Sequence, residues 1–314
     1  MTWFARTQRE VPGWFWAGKA AALRRGRPRP LDLEGFPLVL WRDAQGHPVA
    51  MDRRCAHLGA DLSQGRITPE GLLECPFHHW CFDAQGVCRK GPFPHPPQRR
   101  LSHYPVLERW GQLWVFLGPE PLFPLPGVDE PGQKVLHIGP VRMKCHPHLC
   151  LANGVDGQHF RCLHPLEFDA EPEYEQLGPY HLVNRMWTRF RKPWMKWLMG
   201  DLHPFAEFHT FGANVGWLSV SGGPHRFAIL FNGHLRPGGH TDNHMFMFLF
   251  RPWPSNLRFM LTVLPNLLSD DQRILERLQF HPGFVPGVDD GLIGLAAVVD
   301  RLVSESERSG SGGA

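Results

Sequence analysis

Two cysteines and two histidines stand in an interleaved order, Cys55-x-His57 and, after seventeen intervening residues, Cys75-x-x-His78. Each half offers one thiolate and one imidazole, so two loops brought together can give one iron two sulfur ligands and a second iron two nitrogen ligands. That division suits a [2Fe–2S] cluster. A structural zinc ion also accepts two cysteines and two histidines, but zinc fingers pair Cys with Cys and then His with His, and the order here runs against that.

A second constellation reads Asn153-Gly-Val-Asp156-Gly-Gln-His159-Phe-Arg-Cys-Leu-His164. Two imidazoles five positions apart exceed one α-helical turn, so both face one point only through a π-bulge or at a fraying helix end. Gly154 and Gly157 weaken helix propensity, in keeping with close packing or irregular backbone. Spacing alone leaves these histidines open between a metal site and satisfied structural residues. A late acidic pair, Asp270 and Asp271, precedes a helical run ending in Glu276 and offers either a carboxylate ligand or a helix cap.

The elements that must position these groups fall into two sets. From about Gly35 to Gly118 the chain carries short β segments, LVLWRD, PVAMDRR, GLLECPF, HWCFDAQG and LWVFLG, between Gly, Asp and Pro signals. This predicts a small antiparallel domain with the ligand pairs at the ends of two hairpins. Pro-rich residues 119–132 read as a linker. Beyond it come long strands, YHLVNRMWTRFR, NVGWLSVSG, HRFAILFNGHL, DNHMFMFLFRP and LRFMLTVLPNLL, with a few helices. In residues 244–250 both alternating faces are apolar, which predicts a central strand covered on both sides. Residues from Ser269 to about Ser306 read as two helices, followed by a polar tail.

Composition sets the outer bounds. The 314 residues suffice for two cores, and 42% hydrophobic with 20% charged residues is ordinary for a globular chain. No run of eighteen apolar residues occurs, and Arg6, Arg9 and Glu10 interrupt the opening where a signal peptide needs an apolar stretch, so a cytoplasmic location is expected. Seven cysteines are too few for a disulfide scaffold; Cys81, Cys88, Cys145, Cys150 and Cys162 read as reduced core or loop residues. The net charge of +3 and the short basic run from Lys19 to Arg29 do not make a nucleic-acid surface; the run reads as a solvated loop or as a docking patch for an acidic electron donor.

The segments Cys55-Ala-His-Leu-Gly59 and Cys75-Pro-Phe-His-His-Trp80 resemble the two ligand loops of Rieske proteins. The segment from Asn153 to His164 resembles the Asn-x-x-Asp-x-x-His-x4-His motif of the Rieske non-haem iron oxygenases, and the order and separation of the motifs agree over nearly the whole chain. The resemblance implies an α+β chain: a small antiparallel β Rieske domain (1–120, with an N-terminal extension), a helix-grip catalytic domain with a curved antiparallel sheet (121–306), and a mobile tail (307–314). It implies Cys55, His57, Cys75 and His78 as cluster ligands, with His79 outside the ligand set. It implies His159, His164 and a late Asp, here assigned to Asp271, as a 2-His-1-carboxylate triad for a mononuclear Fe(II). Asp156 is then the inter-subunit link, joining His159 to His78 of a neighbouring chain in a head-to-tail homotrimer. Ala60 and Phe77 occupy the places where respiratory Rieske proteins carry a cross-linking cysteine pair.

The function implied is that of a terminal oxygenase that uses cluster electrons to activate O₂ for hydroxylation or oxidative demethylation of an apolar, ring-containing small molecule. No Gly-x-Gly-x-x-Gly after a strand and no four-cysteine ferredoxin pattern is present, so a separate NAD(P)H-dependent reductase, with or without a ferredoxin, is expected. An electron carrier without its own chemistry is the competing reading, and chain length argues against it. Strand placement suggests Asn214, Trp217, Asn232 and His244 as substrate-lining residues. The Trp- and Met-rich segment 187–205 reads equally as a lid or as a hydrophobic subunit contact.

Overall fold

The computed structural model describes residues 11–164, 166–191, 193, 203–222, 225–250 and 264–310. The chain divides into one unit spanning Trp14–Pro121 and a second that starts at Leu122 and takes in residues 11–13. The boundary expected at 120 thus moves by one residue, and Val11 and Gly13 belong with the larger unit.

Eleven short strands build the first unit: β1 (Trp14–Lys19), β2 (Arg29–Leu33), β3 (Phe36–Arg42), β4 (Pro48–Asp52), β5 (Arg66–Ile67), β6 (Leu73–Glu74), β7 (Cys81–Phe82), β8 (Cys88–Lys90), β9 (His103–Tyr104), β10 (Val106–Arg109) and β11 (Gln112–Phe116). They form three antiparallel sheets ordered β1-β11-β10, β2-β3-β4-β9 and β5-β6-β7-β8. Strand β3 shows why the run LVLW has no polar side. Leu38 and Leu40 enter one core with Phe15 and Val115, Val39 and Trp41 enter another with Cys55 and Cys75, and all four are fully buried. The second ligand loop is the β6–β7 hairpin connection, as expected. The first is not a hairpin end: it carries the chain from β4 to β5, which lie in different sheets.

The larger unit is an eight-stranded antiparallel sheet with helices. Its strands are β12 (Lys134–Met143), β13 (Leu166–Phe168), β14 (Glu173–Gly178), β15 (His181–Phe190), β16 (Phe205–Phe211), β17 (Val215–Gly222), β18 (His225–Arg236) and β19 (His240–Leu249), in the order β12-β19-β18-β17-β16-β15-β13 with β14 on β15. Strand β19 is buried on both faces as its pattern predicts, but it lies one in from the edge strand β12 rather than at the centre. Among the described residues the helices are α1 (Pro147–Ala152), α2 (Gly157–Cys162), α3 (Leu264–Leu275) and α4 (Asp290–Gly310).

Two sequence expectations change here. The run LRFMLTVLPNLL is helical from Leu264 onward, with 257–263 outside the described residues. Helix α4 continues through Gly310 because nothing from Asp290 to Arg308 breaks it except isolated glycines, so the tail expected from 307 begins as helix. The buried stripe Leu295, Val298, Val299 and Leu302 of α4 packs toward β14 and β15. Of segment 187–205, Trp187–Phe190 end β15 and Phe205 opens β16; residues 192 and 194–202 lie outside the described residues.

Candidate metal centres

The two cysteine–histidine loops are built alike. In the first, the Cys55 N–H donates to Ala60 O and the Gly59 N–H to Cys55 O; in the second, the Cys75 N–H donates to Trp80 O and the His79 N–H to Cys75 O. The fifth residue of each loop is left-handed, Gly59 at φ 75° and His79 at φ 57°. A Cβ on Gly59 would meet nothing within 4 Å, so glycine serves the dihedral there rather than a lack of room in the protein. His79 takes the same conformation with a side chain, and its Nδ1 lies 2.7 Å from Glu74 Oε1, a carboxylate also gripped by Arg66.

The four expected donors lie in two close pairs, Cys55 with Cys75 and His57 with His78. Cys55 and Cys75 are buried free thiols, and the His57 and His78 rings lie 4.6 Å apart between centroids. His57 is held flat against Trp80, with centroids 4.5 Å apart and planes 3° from parallel. Burial pushes the Cys55 thiol up to about 11, with the His57 backbone N–H pulling the other way and the neighbouring Cys75 adding to the rise. A thiolate pair in that setting needs a strong positive charge beside it, which is what a ferric cluster bound to thiolate sulfur supplies. The donor set therefore fits a [2Fe–2S] group. Leu58 (68% exposed) and Phe77 (60% exposed) stand on the surface beside the two imidazoles.

In the larger unit the motif from Asn153 forms a 3₁₀ turn (Asn153–Val155) followed by α2. His159 lies within α2, and His164 lies two residues beyond its end, so of the two geometries open to the spacing the helix end is the one used. Gly154 is required by packing: a Cβ there would sit 2.1 Å from the Phe208 ring. Its carbonyl accepts from the buried Asn184 Nδ2 at 3.1 Å. Asp156 caps α2, its Oδ1 accepting the His159 N–H at 3.0 Å. The imidazole of His159 is oriented by a different group, with Nδ1 3.1 Å from Asn153 O. Donation from Nδ1 leaves Nε2 as the available ligand atom. The link expected from Asp156 to His159 is thus made, within the chain, to the backbone and not to the ring.

Asp271 joins both histidines: its Oδ1 lies 2.7 Å from His159 Nε2 and 3.1 Å from His164 Nε2. One ligand atom of each of the three residues falls within 4.8 Å of the others. Asp270 instead lies 3.6 Å from Arg273. Asp271 does not precede the helix, as its sequence context suggested, but stands inside α3, whose earlier residues read as strand. Burial raises its carboxyl and hydrogen bonds from the two imidazoles outweigh that, leaving it below the usual carboxylate range. Two ligands at about 2.1 Å from one ion and at right angles to each other sit about 3 Å apart, so these separations fit a facial 2-His-1-carboxylate iron.

The triad opens on a cavity of about 140 Å³ with Phe160, Phe208, Leu218, Phe231 and Met245 among its walls. Asn153, Asn214 and Asn243 also line it, and no Lys or Arg does among the described residues. Of the four lining residues expected from strand placement only Asn214 is there. Trp217, Asn232 and His244 point to the opposite face, because the residues beside them along each strand, Leu218, Phe231, Asn243 and Met245, hold the cavity side and successive side chains alternate. Asn153, Phe208 and Asn243 were missed by sequence reasoning; alternation could have found Phe208 and Asn243 had the sheet register been known.

The fold and the two donor sets describe a chain that joins an iron–sulfur domain to a second unit bearing a mononuclear metal triad. Residues 13–106 match the Rieske [2Fe-2S] domain family, and the chain resembles the Rieske non-haem iron oxygenases. Aminopyrrolnitrin oxygenase PrnD of Pseudomonas fluorescens is 42% identical over 133 residues, covering 39% of this chain and 36% of that protein. The oxygenase subunit of 5,5'-dehydrodivanillate O-demethylase from a Sphingobium species is 38% identical over 184 residues, covering 54% and 42%. These matches span between about a third and two fifths of the relatives' own length. The crystal structure of dicamba monooxygenase bound to dicamba superposes with a TM-score of 0.66 over 96% of this chain and 99% of that one; at 17% identity this speaks to the fold alone.

Proposed function

We propose that the chain is the terminal oxygenase component of a Rieske oxygenase system. The observation that carries the reading is the convergence of His159, His164 and Asp271 on one point beside an apolar cavity, in a chain that also carries a Rieske domain. In this reading Cys55, His57, Cys75 and His78 hold the [2Fe–2S] cluster, and His159, His164 and Asp271 hold Fe(II). A closed cluster carries electrons, whereas iron with three protein ligands keeps positions open for O₂ chemistry.

The chain's own residues prepare that site. Asn153 O holds the His159 proton on Nδ1, and Asp156 fixes the start of the helix that carries His159. The largely apolar walls offer the amides of Asn153, Asn214 and Asn243 as polar partners. A cavity of about 140 Å³ suits one ring, since engineered cavities of about 150 Å³ take benzene. The apolar walls favour an apolar, single-ring substrate that presents a C–H, N-alkyl or O-alkyl group for hydroxylation or oxidative demethylation. Electrons come from a separate NAD(P)H-dependent reductase, directly or through a ferredoxin. We further propose the head-to-tail homotrimer, with Asp156 as the group that meets His78 of the next chain. A reduced, cytoplasmic setting is in keeping with seven unpaired cysteines.

The test is a screen of apolar aromatic compounds for substrate-dependent O₂ uptake with an artificial electron donor, run beside iron and acid-labile sulfide counts. Iron beyond the two atoms of the cluster, with O₂ uptake tied to product, supports the reading. Cluster iron alone and no uptake would leave an electron carrier.

A further inference from the structure

Beside the iron cavity lies a second group of reactive atoms. Cys145 Sγ and Cys150 Sγ are 3.4 Å apart, the first just before the N-cap of α1 and the second within the helix. The Asn243 Nδ2–H donates to Cys150 Sγ at 3.5 Å, and Met143 Sδ lies 3.7 Å from the same sulfur. Thr241 Oγ1 donates to Cys145 O at 2.6 Å, which fixes the backbone on the other side of the pair. Cys150 lines the cavity that the triad opens on; Cys145 is buried behind it and does not.

We propose that Cys145 and Cys150 are a modification site, a dithiol that closes to a reversible disulfide when a small peroxide enters the cavity. Three features carry this. The sulfurs need to approach by only about 1.4 Å to reach bonding distance. The sulfur exposed to the cavity accepts a hydrogen bond from Asn243 Nδ2, which favours negative charge there and so nucleophilic attack. Its resolving partner is shielded, so the sulfenic acid formed at Cys150 meets Cys145 before any bulk thiol.

The chemistry balances. Cys150 sulfur attacks one peroxide oxygen, the O–O bond breaks and the first water leaves. Cys145 sulfur then attacks Cys150 sulfur, the S–O bond breaks and the hydroxyl leaves as the second water. Two thiols lose two electrons and two protons, and one hydrogen peroxide becomes two waters. The new bond would tie the connection between β12 and α1 to α1 itself, the helix that runs into Asn153 and so into the support of His159.

The experiment uses the purified full-length holoprotein, treated anaerobically with stoichiometric hydrogen peroxide and then blocked with an alkylating reagent under denaturing conditions. Tryptic cleavage after Lys144 and Arg161 places both cysteines, and no other, in one peptide of residues 145–161. The expected result is that peptide lacking two hydrogens and carrying no alkyl group, returning to the doubly alkylated form after dithiothreitol. Cys145→Ser is expected to keep turnover and lose this change, and phenylarsine oxide is expected to be retained by the wild type and not by this variant. A doubly alkylated peptide after peroxide, irreversible oxidation of Cys150 alone, or exclusive oxidation of the exposed Cys162 would overturn the proposal. The wild-type peptide decides the matter even if the variant does not fold, and it does so whether or not the chain is an oxygenase.

Discussion

Position 79 offers a test in which the sign of an effect, and not only its size, is fixed by the backbone. At an ordinary exposed position alanine is more stable than glycine by about 0.4–1 kcal/mol, because glycine leaves the unfolded chain more freedom to lose. At φ 57° the balance inverts. A left-handed residue with a Cβ costs roughly 1–2 kcal/mol, which exceeds the entropy difference. His79→Gly relieves that cost and loses the contact with Glu74, which is worth at most about 0.5 kcal/mol because the imidazole is 65% exposed and screened. His79→Ala loses the same contact and keeps the strain. The expected order of stability is therefore His79→Gly above His79→Ala by on the order of 1 kcal/mol, with His79→Gly close to the wild type. Chemical denaturation of the holoprotein, followed by loss of the visible cluster absorbance, measures it. Both variants should also keep the cluster spectrum that His78→Ala loses. An alanine variant more stable than the glycine variant would refute the claim that the fifth residue of this loop must be left-handed, and loss of the cluster in both would make His79 a ligand.

Gly59→Ala, the matching change in the first loop, meets no neighbouring atom and is expected to cost only the backbone term, about 1 kcal/mol, in the same assay. Asp271→Ala should lose the mononuclear iron and keep the cluster, whereas Asp270→Ala, which gives up only an exposed contact with Arg273, should keep both; iron counts against acid-labile sulfide decide. Asn184→Ala removes a fully buried donor from Gly154 O and should cost about 1–3 kcal/mol by urea unfolding, with loss of mononuclear iron affinity alongside. Burial, with the neighbouring His137, holds His244 down at about 4, below its ordinary value of 6.5. The unfolded chain therefore takes up this proton first: stability is full above pH 6.5, falls by up to about 1.4 kcal/mol per pH unit on acidification, and levels off below about 4. The dependence of urea midpoints on pH across that range should become less steep in His244→Gln, with His148, His181, His209 and His234, which burial also holds below their ordinary value, keeping the rest; an unchanged slope would rule out His244 as a buried neutral base.

The two ligand loops were legible because their chemistry and their turn signals are local. Cys55 to Gly59 and Cys75 to Trp80 each close on themselves through backbone hydrogen bonds within six residues, so sequence carries nearly all of their geometry. Strands whose apolar pattern is read against one neighbour fared less well. Trp217, Asn232 and His244 were assigned to the cavity by placement along the chain, but which face of a strand meets the cavity depends on pairings with distant segments, and a one-residue error inverts it. The same limit hid the Cys145 and Cys150 pair, whose significance comes from the cavity formed by β18, β19 and α3. Asp271 was chosen through the family resemblance while the start of its helix was misread, since Leu-Thr-Val-Leu-Pro gives no helical period and Pro265 falls near the helix start.

Every support of the first triad ligand comes from the protein. Asn153 O orients the His159 ring, Asp156 caps its helix, Phe208 fills the space a side chain at position 154 would take, and Asn184 holds the carbonyl of that turn. None of these contacts uses a metal ion, and each belongs to a different element of the sheet or its helices. His164 has no such support: its Nδ1 is buried without a hydrogen-bond partner, and only Nε2 is engaged, by Asp271. The two imidazoles are therefore unequal, one preorganised by hydrogen bonding and the other held by packing and by the carboxylate. That inequality follows from the helix ending at Leu163, because His159 keeps the regular backbone of α2 around it and His164 does not. A five-residue spacing thus brings two imidazoles to one carboxylate at the expense of support for the second, and α3 supplies through Asp271 what the helix end cannot.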